Sequence, residues 1–151
     1  MLITPEEVGY ILGNEVASEV LYLRDQTGCR YISVIDENVV LQVYVTTDAT
    51  MKRSNQPSHK KWHSDQFYSA AEMYEMRKMA ELRIQKKIPE VFKVEDIENF
   101  GDQAFLTEAV FFGFHVLNND IFYEFVTRTN DDGIGYDALM KLAQIALQRM
   151  P

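Results

Sequence analysis

The stretch from Val39 to Thr46 does more than any other to limit what this chain can fold into. Val39, Leu41, Val43 and Val45 fall on one side of it, and Gln42, Tyr44 and Thr46 on the other. A period of two belongs to a pleated strand, whose side chains point alternately to its two faces. Just upstream, Cys29 to Ile35 has the same character, and Asp36-Glu37-Asn38 links the two. Two such runs joined by a three-residue polar turn predict an antiparallel hairpin. Glu15 to Leu23, ending at the turn signal Asp25-Gln-Thr-Gly28, is a candidate strand before it.

The second half repeats the pattern. Ala104–Thr107, Phe111–Leu117 and Ile121–Arg128 read as strands. Asn118-Asn119-Asp120 reads as a hairpin turn, because Asn and Asp tolerate left-handed backbone. Between the two strand groups, Met51 to Ser64 shows no periodicity and is predicted to be a loop. A long helix then runs from about Ser64 or Asp65 to Lys87, with Phe67, Ala70, Met73, Tyr74, Ala80 and Ile84 at helical spacing. Ile88-Pro89 stops it, and Glu90 to Gly101 is an acidic connector.

At the N-terminus, Thr4-Pro5-Glu6-Glu7 has the form of a capping box with proline in the first turn, and Gly13 is placed to end a short helix. Leu139, Leu142, Ala143, Ala146 and Leu147 form the apolar stripe of a last helix, Tyr136 to Arg149. Grouped strands with helices around them predict an α+β domain. The expected form is an antiparallel sheet of five to six strands, packed by the long central helix, the C-terminal helix and the short N-terminal one. At 151 residues, 46% of them hydrophobic, the chain is expected to be one domain over 1–151 with a core that needs no staples.

Charge narrows the function. The net charge of −8 speaks against a general nucleic-acid binder, which needs a basic face. Residues 52–87 nevertheless hold nine Lys/Arg against four Asp/Glu, so a segment of +5 sits in a remainder of −13. Within it, Lys52, Arg53, His59, Lys60, Lys61, Trp62 and His63 combine cations with an indole, as binding hot spots do. An exposed hot spot, and a loop with Trp62 folded down as a lid, both fit that composition. The start of the chain has neither the basic residues nor the apolar run of a signal peptide, and no stretch is long and apolar enough to span a bilayer. The chain as written reads as cytoplasmic, and as extracytoplasmic if a leader has been removed.

Chemistry is harder to find. Gly133-Ile-Gly135 lacks the third glycine of a phosphate loop and is flanked by acids. His59 and His63 are four apart, but Pro57 and the neighbouring lysines disfavour a metal site, and no cofactor motif is present. Cys29 stands alone, so it forms no internal disulfide, and its commoner role is that of a small core residue. His115 lies in an apolar strand, where a histidine is more often a satisfied core group than a base. Phe105, Phe111, Phe112, Phe114, Phe122, Tyr123 and Phe125 crowd the second strand group. Because strands alternate, one set fills the core and the other lies under a helix or lines a cavity.

Three stretches carry a resemblance: "ITPEEVGYILG", "GCRYISVIDENVVLQVYV", and "NFGDQAFLTEAVFFGFHVLNNDIFYEFV" leading on to "ALMKLAQIALQRM". Their order resembles small bacterial proteins and lipoproteins of the PsbP-like class, the α/β/α fold shared with the Ran-binding Mog proteins. Gly101-Asp102-Gln103-Ala104 and Cys29-Arg30-Tyr31 match that pattern best. The resemblance implies a non-enzymatic binding or accessory role. It has no counterpart for the 52–63 segment.

The leading expectation is therefore a module that contacts an acidic protein partner through residues 52–87. The alternative is a small apolar ligand held between the aromatic sheet and the methionine-rich helix, with Phe112, Phe114, His115, Met73 and Met76 around it. An enzyme built on His115, Cys29 and nearby carboxylates ranks third, since nothing in the sequence brings them together. Self-association through open strand edges also remains.

Overall fold

The computed structural model describes residues 2–23, 26–35, 37, 39–54, 60–61, 65–128 and 135–149. Its elements are α1 (Pro5–Leu12), β1 (Val16–Tyr22), β2 (Thr27–Ser33), β3 (Val39–Thr46), α2 (Asp48–Ser54), α3 (Ala70–Lys87), β4 (Lys93–Asp96), β5 (Gln103–Glu108), β6 (Phe111–Asn118), β7 (Ile121–Arg128) and α4 (Tyr136–Gln148). The strands form one sheet of seven, in the order β1-β2-β3-β7-β6-β5-β4, and every neighbouring pair is antiparallel. The sheet is thus larger than the five to six strands expected. The two strand groups join at β3 and β7, where Val43 lies opposite Phe125 and Tyr44 opposite Glu124.

Side-chain alternation splits the core in two. Ala104, Leu106, Phe114, Val116, Tyr123 and Phe125 point to one face, where they meet Val8 of α1 and Leu139, Leu142, Ala143 and Ala146 of α4. Phe105, Leu117 and Phe122 point to the other, where they meet Ala70 and Tyr74 of α3. Helices therefore cover parts of both faces. The ends of α1 form as the sequence predicts. Thr4 and Glu7 exchange capping hydrogen bonds, and Gly13 closes the helix in the left-handed region. Arg149 clasps Glu7 and the Leu2 carbonyl, tying the end of α4 to α1. Gly101 has φ +58°, and an added Cβ there would lie 2.6 Å from the Leu117 carbonyl oxygen, so this turn needs glycine.

Three expectations are corrected. Residues 51–54, expected in the loop, belong to a helix that begins at Asp48: Thr47 and Thr50 hydrogen-bond each other's backbone N–H, and Met51 is the buried anchor. The long helix starts at Ala70, because Ser69 and Glu72 form a second capping box, while Phe67 instead bridges to Lys60. The acidic connector contains β4, whose Val94 packs against the α3 side of the core.

Candidate functional site

Among the described residues, the basic segment divides into paired and unpaired cations. Lys61 lies 2.6 Å from Glu72, the residue whose other oxygen caps α3. The Lys61 ammonium and then the Ser69 N–H hold the Glu72 carboxyl below the ordinary carboxylate range. Lys60 stands over the Phe67 ring, 5.4 Å from its centroid, and 3.9 Å from Asp65. Lys78 pairs with Asp96 at 2.5 Å, and Arg77 with Glu81 at 2.8 Å. By contrast Lys52 and Arg53, in the last turn of α2, are exposed. His59, Trp62 and His63, the remainder of the expected patch, lie outside the described residues, as does the Gly133 end of the glycine pair.

The face of α3 against the sheet is polar for most of its length. Ala70 and Tyr74 are followed there by Arg77, Glu81 and Gln85, while Ala80 and Ile84 of the expected stripe are exposed. Glu81 is 7% exposed and bound by Arg77, and Gln85 accepts a hydrogen bond from the Val94 N–H at 3.0 Å. Such a stripe is stable because its buried polar groups are partnered.

Beneath it lies a polar row across four strands. His115 is 1% exposed and stacks on Phe105, their rings 4.4 Å apart. Its Nδ1 lies 3.4 Å from Glu124 Oε1, without hydrogen-bond geometry, and its Nε2 lies 3.4 Å from the Thr107 hydroxyl. The Gln26 amide donates to Glu124 Oε2 at 2.8 Å and to the Thr46 hydroxyl at 3.2 Å. Burial pushes the Glu124 pKa up, but the His115 imidazole, the Arg77 guanidinium and the Gln26 amide outweigh it, so the carboxyl titrates below its ordinary 4.5.

A cavity of about 240 Å³ opens on this row, lined by Gln26, Thr46, Phe122 and Glu124 from the sheet and by Met51, Met73, Met76 and Arg77 from the helices. Of the expected pocket residues, the structure brings Met73 and Met76 into this wall and His115 directly behind it. Phe112 and Phe114 belong to the opposite face, Phe114 in the α4 core and Phe112 with its ring 6.4 Å from that of Tyr136. Cys29 also packs on that face, so the sheet separates it from His115. Among the described residues, no group of three or more His, Cys, Asp or Glu is placed to hold a metal ion.

Glu124, Gln26, Thr46 and Arg77 were not singled out from the sequence. The one available signal was Glu124 itself, a lone acid in the apolar run Ile121-Phe-Tyr-Glu-Phe-Val126. The Tyr74 hydroxyl is buried and has no hydrogen-bond partner among the described residues. An unsatisfied buried hydroxyl costs roughly 1–3 kcal/mol. Tyr74→Phe is thus expected to stabilise the fold by about 1 kcal/mol in urea denaturation. A clear loss of stability would show that the hydroxyl is bonded after all.

No family model, curated protein or solved structure matches this chain. Among the described residues, no helix is long and apolar enough to cross a membrane.

Proposed function

We propose that the chain is a binding module that docks an acidic protein partner on the outward side of α3, whose first turn lies against α2. One observation carries this reading. Met76, Met79, Arg83, Lys86 and Lys87 follow one another at spacings that keep them on a single helix side, away from Tyr74 and Glu81. Met76 and Met79 are 45% and 51% exposed, and among the described residues Arg83, Lys86 and Lys87 have no ion-pair partner. Methionine adapts to irregular apolar surfaces, and cations steer an acidic partner and set its register. The positive segment stands out because the rest of the chain is so acidic, at −13. The accessory role implied by the PsbP-like resemblance agrees with this reading.

The test is a triple charge reversal, Arg83→Glu, Lys86→Glu and Lys87→Glu. Poly-glutamate serves as the defined probe, and single-stranded DNA as the competing polyanion. Wild type is expected to bind poly-glutamate in a salt-dependent way, with the variant at least about tenfold weaker. Equal binding by both proteins, or a preference for DNA, would overturn the proposal.

A second reading is favoured by the cavity under α3. Methionine thioethers and the Phe122 ring form its apolar part, as in small-ligand sites. In this reading Phe122 takes the place expected for Phe112 and Phe114.

A further inference from the structure

The small-ligand reading, on which this inference rests, extends to a ligand class. The decisive atom is Glu124 Oε1. Glu124 is only 8% exposed, and its Oε2 is satisfied by Gln26 at 2.8 Å. The nearest donors to Oε1 are His115 Nδ1 at 3.4 Å, without hydrogen-bond geometry, and Arg77 Nε at 3.8 Å. Among donors to a carboxylate oxygen, charged ones form the shorter and stronger bonds. The cavity opens on this carboxylate, so an ammonium entering there meets Oε1 at shorter range than either of these protein donors does.

A bare cation is the wrong guest, because Arg77 lines the same cavity. Its Nε lies 2.8 Å from Glu81 and 3.8 Å from Glu124, and a guanidinium carries five N–H donors in a fork that matches a carboxylate. The site therefore presents an anion and a cation side by side, with an apolar wall of Met51, Met73, Met76 and Phe122 next to them. The complement is a molecule with an ammonium and a carboxylate on neighbouring atoms and an apolar tail. At about 240 Å³ the cavity is smaller than the roughly 300–1,000 Å³ of drug-sized ligand sites, which suits a small guest such as valine, leucine or methionine.

We propose that the cavity between α2, α3 and the sheet binds a free α-amino acid with an aliphatic side chain. Its ammonium sits on Glu124 with help from the Thr46 hydroxyl, its carboxylate on Arg77, and its side chain among the three methionines. No bond is made or broken. The site is a recognition site, separate from the outward face of α3, although Met76 borders both.

The test is calorimetry and thermal melting of the full chain with the standard α-amino acids, each at up to about 10 mM. Isoamylamine and 4-methylpentanoate are the single-charge counterparts of leucine. Leucine or methionine is expected to raise the melting temperature by several degrees, since a ligand that binds only the folded state stabilises it. Each single-charge counterpart is expected to bind at least about tenfold more weakly, because one buried charge is then unmatched. Glu124→Gln is expected to lose at least tenfold in affinity. Met76→Trp, a change at an exposed helix position, is expected to block the cavity and abolish binding in a protein that still melts cooperatively. If no amino acid binds, or isoamylamine binds as well as leucine, the inference falls. A fatty acid or other metabolite that binds and is blocked by Met76→Trp would sink the amino-acid assignment and leave the small-ligand reading standing. Silence across the whole panel would remove both.

Discussion

Phe114→Ala is expected to cost about 3–5 kcal/mol, enough to remove much of the stability of a domain this size. Phe114 is fully buried on β6, between β5 and β7. Phe100 meets its ring edge-on with centroids 5.1 Å apart, Phe125 lies 6.2 Å away on the neighbouring strand, and the buried side chains of α4 close over it. Removing the ring takes away its transfer free energy and leaves a hole that a sheet, held in register by its ladders, cannot collapse to fill. At about 2–4 °C per kcal/mol for a chain of this length, the melting temperature should fall by roughly 6–20 °C. Phe111 on the same strand supplies the control. It is 50% exposed, and Phe111→Ala should cost less than about 1 kcal/mol. Comparable losses in the two variants would mean that the burial along β6 is misassigned.

That contrast also marks how far the sequence could be read. Alternation located β3, β6 and β7 because each has apolar residues on at least one face at a strict period of two. It did not say which face of the crowded aromatic run lies under which helix, and so Phe112 and Phe114 were grouped with His115 although they point to the opposite side. β4 was missed because it is a four-residue edge strand, Lys93-Val-Glu-Asp96, with a single inward apolar residue. Short, charged edges resist pairing with other chains, and the same property hides them from a hydrophobic pattern. The start of α3 was legible in principle, since Ser69 and Glu72 have capping-box spacing, but Phe67 at helical spacing extended the pattern too far upstream. The inner stripe of α3 was not legible. Arg77, Glu81 and Gln85 face the sheet through mutual ion pairs and a backbone hydrogen bond, and those partners come from pairing geometry that apolar periodicity does not detect. The candidate cavity has the same origin. Gln26, Thr46, Arg77 and Glu124 are ordinary surface residue types until the β3–β7 junction brings them together.

Glu124 is where this junction can be tested most sharply, because its charge makes stability depend on pH. Its neighbours come from every side: His115 on β6, Gln26 before β2, Tyr44 and Thr46 on β3, and Arg77 on α3 with Glu81 beyond it. The sum of these effects lowers the folded-state pKa below 4.5. A depressed carboxylate binds fewer protons folded than unfolded near that value. Its contribution is therefore complete above about pH 5 and lost as pH falls through the folded pKa. Glu7 and Glu72 are shifted the same way, by Arg149 and Lys61, and add to the acid limb, but both are more exposed and count for less. Removing one partner of a buried charged group typically costs about 3–5 kcal/mol, so Glu124→Ala is expected to lose roughly that amount at pH 7. Glu124→Gln keeps the shape and an acceptor for Gln26 but has no charge to protonate. Its stability should lie below wild type at pH 7 and converge on it as the pH is lowered towards 3, because the wild-type carboxyl becomes neutral too. Since Glu7 and Glu72 are paired elsewhere, with Arg149 and Lys61, and are present in both proteins, their contributions largely cancel from the difference. Urea denaturation of the pair at half-unit steps between pH 7 and pH 3 measures that difference directly. Parallel curves with a constant offset would mean that the Glu124 charge does no work in the folded state, and the ion-binding role assigned to its Oε1 would fall with it.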